Sequence, residues 1–180
     1  MNFLKLNLTI MFSLSILFSS EIKNDTEKRI FELFPNNSSI KWMMYQIPKK
    51  SVKNIQNSVK QKFFRKEINL WKITDNDSLK YYAMLDNVIG KTMPISFLVI
   101  FNDKGVVHNA SIIKYREPYG GEVGNKNWLK QFISYSDTSK YKVGDDISAI
   151  SGATLSVNSV TKGVFKLSLL IKSILEIKDE

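Results

Sequence analysis

The chain contains no cysteine in its 180 residues. That absence excludes disulfides, thiolate metal sites, iron–sulfur clusters and a lipidated amino-terminal cysteine in one step. Histidine occurs once, as His108. Alone it can build neither a metal site nor a catalytic triad, and its alternating place in a strand pattern marks it as structural or solvent-facing. No Ser/His/Asp set, P-loop, dinucleotide-binding glycine fingerprint or pair of carboxylates at defined spacing is present. The sequence therefore offers little as a stand-alone hydrolase or nicotinamide-dependent enzyme. Redox chemistry would belong to a cofactor, with the protein supplying position and electrostatics.

Acidic residues are also in the minority: 17 Asp and Glu face 26 Lys and Arg, for a net charge of +9. The basic residues are spread along the chain as lysines, without an Arg-rich block or regularly interleaved aromatics. That pattern is a solvated surface and does not point to nucleic acid, although it suits anionic lipid or an acidic redox partner. With 43% apolar and 24% charged residues the composition is globular, and the length fits one domain plus a targeting or anchoring segment.

Long apolar runs are scarce too. In residues 1–20, Lys5 precedes an apolar run from Leu6 to Phe18, and Ser19, Ser20 and Glu21 follow as small and polar residues. This three-part form is that of a secretory signal, and the run is short for a membrane span of about 20 residues. Residues 1–20 are read as a signal peptide or an amino-terminal anchor, placing the domain outside the cytoplasm, in a periplasm or on the outer face of the membrane.

Residues 22–35 predict a short helix stopped by Pro35. Residues 36–39 form a turn, and residues 40–47, rich in Trp, Met and Tyr, predict a buried strand ended by Pro48. Val52, Ile55, Val59 and Phe63 fall on one helical face over residues 49–63. Strands follow at 70–74 and 79–85, joined by Asp75-Asn76-Asp77-Ser78. The clearest element is a hairpin: 95–101, a turn ending in Gly105, and a return over 106–115. A glycine-rich loop spans 116–125, and a short helix is predicted over 127–134. Finally Val157, Val160, Val164, Leu167, Ile171 and Ile174 form one stripe, with Lys162, Lys166 and Lys172 outside it. The expected fold is α+β, with a largely antiparallel sheet and packed helices. Residues 21–79 would form its amino-terminal part and 80–180 its core.

The terminal helix runs directly out of Ser151-Gly152-Ala153-Thr154. Here two small residues sit between two hydroxyls at a helix start, where unpaired N–H groups and the positive dipole end suit a phosphate. An ordinary helix cap is the bland alternative. A second constellation is Arg116, Glu117, Gly120, Gly121 and Glu122. It is either a loop whose Gly120 and Gly121 allow close backbone approach or a loop stapled by an Arg116–Glu122 pair. Lys91 reaches a phosphate or is plain surface. Trp128 and Phe132, on one face of a short helix, read as core.

The Ser-Gly-Ala-Thr motif, with Ile89-Gly90-Lys91-Thr92, Pro94-Ile95, Tyr115-Arg116-Glu117, Gly120-Gly121-Glu122-Val123 and Trp128-Leu129-Lys130-Gln131-Phe132, resembles the FMN-binding domain family. That family is known from the C subunit of the sodium-pumping NADH:quinone reductase and the G subunit of the Rnf complex. This chain is most similar to its small exported single-domain members, over roughly residues 80–175. The resemblance implies FMN as cofactor, carried through its phosphate on the last threonine of the motif, Thr154. It also implies a separate flavin transferase that moves FMN from FAD, and a membrane electron-transfer partner. Ser151, Gly152, Ala153 and Ser156 would cap the helix or contact the phosphate, with Arg116, Glu117, Gly120, Gly121 and Glu122 near the flavin. One departure stands out. The family usually has an aspartate six residues before the acceptor, and this chain has Ser148, with Asp145 and Asp146 further upstream. Electron carriage is the leading reading. A flavin-free accessory of a membrane redox complex and a small flavin-dependent reductase are the alternatives.

Overall fold

The computed structural model describes residues 21–35 and 38–176. The leader or anchor expected over residues 1–20 lies outside them, as do residues 36 and 37 of the expected turn. The chain divides into two units, one ending at Pro35 and the other beginning at Asn36. In the first, residues 21–33 form helix α1, close to the predicted 22–35. Among the described residues no helix is long and apolar enough to cross a membrane.

The second unit is a five-stranded antiparallel meander with helices, the α+β architecture expected from the sequence. Its strands are β1 (Ser39–Gln46), β2 (Glu67–Thr74), β3 (Lys80–Ile89), β4 (Pro94–Asn102) and β5 (Val107–Lys114), hydrogen-bonded in sequence order. Helix α2 (Lys49–Val59) joins β1 to β2, α3 (Lys126–Leu129) follows β5, and α4 (Thr154–Glu176) ends the unit. The predicted helix over 127–134 is thus shorter, continuing only as a 3-10 turn from Lys130 to Phe132. Helix α2 stops where Lys60 turns left-handed (φ 53°), so Phe63 reaches the core from the following loop.

The strand β1 corrects an expectation. Its composition predicts burial, yet six of its eight residues are exposed, Trp42, Met43 and Met44 among them. The reason is its place at the edge of the sheet, whereas α4 packs over β3 and β4. Cross-strand bonds anchor it instead: Trp42 Nε1 donates to Asn69 Oδ1 at 3.0 Å, and Gln46 Nε2 to Glu67 Oε2 at 2.9 Å. Strand β4 is the opposite case. Every residue from Ile95 to Phe101 is buried, as its unbroken apolar run predicts.

Helix α4 lays its stripe across this sheet. Val157, Val160, Val164, Leu167 and Ile171 are fully buried, and Ile174 nearly so. Each such side chain stabilises the fold by about 1.5–3 kcal/mol, which fixes the phase of the helix and so the direction of its first turn. Gly163 permits the close approach, because a Cβ there would lie 2.7 Å from Phe97 Cζ and 2.9 Å from Val88 Cγ1. The helical spacing puts Lys166 outside the stripe, but it is fully buried. Its Nζ pairs with Asp86 Oδ2 at 2.8 Å, donates to the Lys62 carbonyl at 3.0 Å and lies 4.8 Å from the centre of the Phe63 ring.

Candidate functional site

The motif that ends in Thr154 folds as a tight turn leading into α4. Ala153 N–H donates to the Ile150 carbonyl at 3.1 Å, and Gly152 takes φ +79°, a left-handed value that favours glycine. A Cβ at Gly152 would meet nothing within 4 Å, so this side of the turn is open. The first helical bond runs from Val157 N–H to the Ala153 carbonyl at 2.9 Å. The N-cap position therefore falls to Ala153, which has no side-chain oxygen, and not to Ser151, which lies exposed in the turn. Among the described residues no side chain accepts from the amides of Thr154, Leu155 and Ser156. They project from the positive end of a 23-residue helix.

The three hydroxyls near this end differ in their surroundings. Ser156 is buried, with Oγ 3.1 Å from Tyr115 Oη. The Tyr115 proton goes to the Tyr119 carbonyl at 2.5 Å, so Ser156 is the donor in the serine–tyrosine bond. Thr154 is exposed at the first helical position, and its hydroxyl has no partner among the described residues.

A cavity of about 620 Å³ opens over this turn, a size typical of ligand sites. The motif contributes Gly152, Ala153, Thr154, Leu155 and Ser156. The facing wall consists of Lys91 and Thr92 with Glu117, Pro118 and Tyr119. Tyr119 and Leu155 form an apolar rim, 82% and 55% exposed. Lys91 is the only cation in the lining and Glu117 the only anion. Glu117 is turned back into the wall, where it accepts the Thr92 N–H at 2.7 Å and the Met93 N–H at 2.9 Å. The backbone N–H groups of Met93 and Thr92 hold its carboxyl below the ordinary value. Lys91 thus remains as the group suited to an anion above the helix end.

The second constellation is split by the fold. Glu117 lines the cavity, whereas Arg116 and Glu122 do not. Arg116 Nη1 donates to the Pro94 carbonyl at 2.8 Å and to Ser96 Oγ at 3.2 Å, fastening the start of β4. No Arg116–Glu122 pair forms. The loop is stapled, but through Pro94, Ser96, Thr92 and Met93. Gly120 takes φ +82° directly behind the motif: a Cβ there would be 2.7 Å from Tyr115 Oη and 3.4 Å from Ala153 Cβ. Gly121 has ordinary clearance, with nothing nearer than 3.8 Å.

Trp128 and Phe132 are core, as read, with ring centres 5.3 Å apart in an edge-to-face pair. Trp128 also reaches the segment before the motif. Its Nε1 donates to the Ser148 carbonyl at 2.8 Å, and the Ser148 N–H donates to Gln131 Oε1 at 2.8 Å. Ser148 is therefore held by its backbone with its side chain exposed. Asp145 pairs with Lys142 at 2.5 Å and Asp146 Oδ2 accepts the Lys142 N–H at 3.2 Å, so both acids serve their own turn. Tyr115, Thr92, Pro118, Tyr119 and Leu155 carry no individual site signal in the sequence. They lie in loops or on a helix flank, where no periodicity singles them out.

Residues 90–167 match the family model described as FMN-binding domain. The matched stretch contains every residue lining the cavity. No curated protein matches the chain.

Proposed function

We propose, from the premise that residues 90–167 belong to the FMN-binding domain family and that FMN is the cofactor, that this protein is an exported electron carrier with FMN esterified to Thr154. The observation that carries the attachment site is the contrast between two hydroxyls. The Thr154 hydroxyl is exposed at the open end of α4 and has no partner among the described residues, while that of Ser156 is buried against Tyr115. The residues around the cavity fit a phosphate and a flat ring system. Uncapped amides, the helix dipole and Lys91 suit the phosphate, and Gly152, Tyr119 and Leu155 leave an open, largely apolar flank for the rings.

Bound flavin supplies one- and two-electron chemistry. The chain's own part is to hold it, with Glu117 and Arg116 fixing the wall and the α4 stripe fixing the turn. A threonine hydroxyl is a weak nucleophile, and neither histidine nor cysteine is near to activate it. Attachment therefore calls for a flavin transferase acting on FAD: the Thr154 Oγ–phosphorus bond forms as the pyrophosphate bond breaks, AMP leaves and the hydroxyl proton is released. Export rests on the form of residues 1–20, and a membrane electron-transfer partner on the resemblance to the family.

Co-production with an exported flavin transferase tests the attachment. Wild type should keep in-gel flavin fluorescence after denaturation, and Thr154→Val should lose it at nearly constant volume. Fluorescence retained in Thr154→Val would move the site elsewhere, Ser156 first.

A further inference from the structure

A second cavity, of about 580 Å³, lies beside Ser159 and Lys162 of α4 and shares no lining residue with the first. Three lysines line it: Lys60, Lys62 and Lys162. All three are exposed, none has an acidic partner among the described residues, and the lining contains no Asp or Glu. Asp86, the one buried acid among the described residues, is already taken by Lys166. Three like charges around one concavity repel one another, and that repulsion is relieved when an anion enters.

Besides Gln61 and Ser159, the rest of the lining is apolar and aromatic: Phe63, Phe64, Val88 and Ile89. Phe64 is 52% exposed and Ile89 43%, large side chains left in water at the mouth of a hollow. The hollow is also held in shape. Gln61 Nε2 donates to the Ser159 carbonyl of α4 at 3.0 Å, and Lys166 Nζ binds the Lys62 carbonyl at 3.0 Å from below. The loop that carries two of the three lysines is thereby tied to the helix that carries the third. A pre-formed cavity loses less on binding than a loop that must be ordered first.

We infer that this cavity is a second ligand site, for a small organic anion with a flat apolar body such as an aromatic carboxylate. The lysines would take the carboxylate while Phe64 and Ile89 cover the rings. Nothing in this inference requires flavin at Thr154, so the two readings stand or fall separately.

Calorimetric titration of the full chain with 2-naphthoate tests it, with neutral 2-naphthamide as the comparison. One naphthoate should bind per chain, with the amide about tenfold weaker or more, the scale of one charge-assisted contact. Lys60→Gln combined with Lys162→Gln should weaken naphthoate by a similar factor and leave the melting temperature unchanged, since both side chains are exposed. Lys91→Gln, in the other cavity, should leave the affinity for naphthoate as it is in the wild type. Equal affinity for carboxylate and amide, or no saturable heat, would overturn the site. So would loss of binding on Lys91→Gln, which would place the probe in the flavin cavity. Capture by phosphatidylglycerol vesicles through Lys60 and Lys162, without naphthoate binding, would replace the small-molecule site with a membrane contact.

Discussion

Lys166 of α4 and Asp86 of β3 form a buried ion pair, Nζ to Oδ2 2.8 Å, with the lysine side chain fully enclosed. Removing the cation leaves a carboxylate without its partner in the interior. Lys166→Ala is therefore expected to cost about 3–5 kcal/mol, the range for breaking a buried pair from one side. Replacing both members, as Lys166→Met with Asp86→Leu, should cost clearly less than the single change, because no orphaned charge remains. Urea unfolding of the two variants decides it. Equal losses would mean that packing, and not charge, dominates at this position.

The neighbouring stripe gives an independent measure of how α4 is held. Leu167 is fully buried, and Leu167→Ala should cost about 2–5 kcal/mol. Lys162, exposed on the same helix, is the surface control: Lys162→Ala should change stability by under about 0.5 kcal/mol. Similar urea midpoints for the two would show that the phase of the helix is wrong.

What the sequence made legible follows from periodicity. The stripe Val157 to Ile174 and the 95–115 hairpin were readable because spacings of three and four, and a continuous apolar run, each have one natural geometry. A helical wheel takes charge as a sign of solvent, and so it puts Lys166 on the wrong face. The contrary signal lay in β3, where Asp86 shares the parity of Met84 and Val88, both buried residues of the helix-facing core. A carboxylate at such a position calls for a cation opposite. Strand β1 departs from expectation for a different reason: composition reports that a side chain is apolar, not whether another layer covers it. At the site, Thr154 and its small neighbours were legible from a motif. The facing wall was not, because Lys91, Thr92 and Tyr119 reach the cavity only through the antiparallel pairing of β3 with β4 and the return of the 116–125 loop.

That loop carries a steric prediction. Gly120 is left-handed, and a Cβ there would collide with Tyr115 Oη at 2.7 Å. An L-residue in this conformation costs about 1–2 kcal/mol before the collision is counted. Gly120→Ala should lower stability by at least that amount and, by displacing Tyr115 from Ser156, reduce flavin content. Gly121→Ala should stay within about 0.5 kcal/mol, since its Cβ has ordinary clearance. Thermal melts and the ratio of flavin to protein absorbance test both. Equal behaviour of the two variants would remove Gly120 from the support of the motif.

Glu117 makes the wall sensitive to acid. Its carboxyl is held below the ordinary 4.5, by the Met93 N–H first and the Thr92 N–H next. A depressed folded value means that the stabilisation is complete above the unfolded value and is lost as the pH falls through the folded one. The turn between β3 and β4 should therefore loosen only in acid below pH 4.5. Carbon-13 titration of the Glu117 carboxyl should give a midpoint under that value, with the Thr92 and Met93 amide shifts following it. In Glu117→Gln those amides should no longer titrate. A midpoint at or above the ordinary value would disprove the clamp in solution.

Ser148 offers the last test, because structure and family pattern bear on it differently. The backbone of Ser148 is fixed from both sides, its carbonyl by Trp128 Nε1 and its N–H by Gln131 Oε1, while the side chain is exposed. Ser148→Asp thus adds a carboxylate in solvent without disturbing either bond, and its effect on stability should be under about 0.5 kcal/mol. Asp145 and Asp146 cannot take its place without giving up Lys142. If the acidic position serves recognition by the transferase, Ser148→Asp should raise the fraction of chains carrying covalent flavin under limiting transferase. Intact mass after timed co-production measures that fraction, with Trp128→Phe as a second variant that frees the Ser148 carbonyl while leaving the side chain unchanged. A labelled fraction that rises with Ser148→Asp alone assigns the effect to the carboxylate. A fraction unchanged by Ser148→Asp but lowered by Trp128→Phe assigns it to the backbone path into the turn.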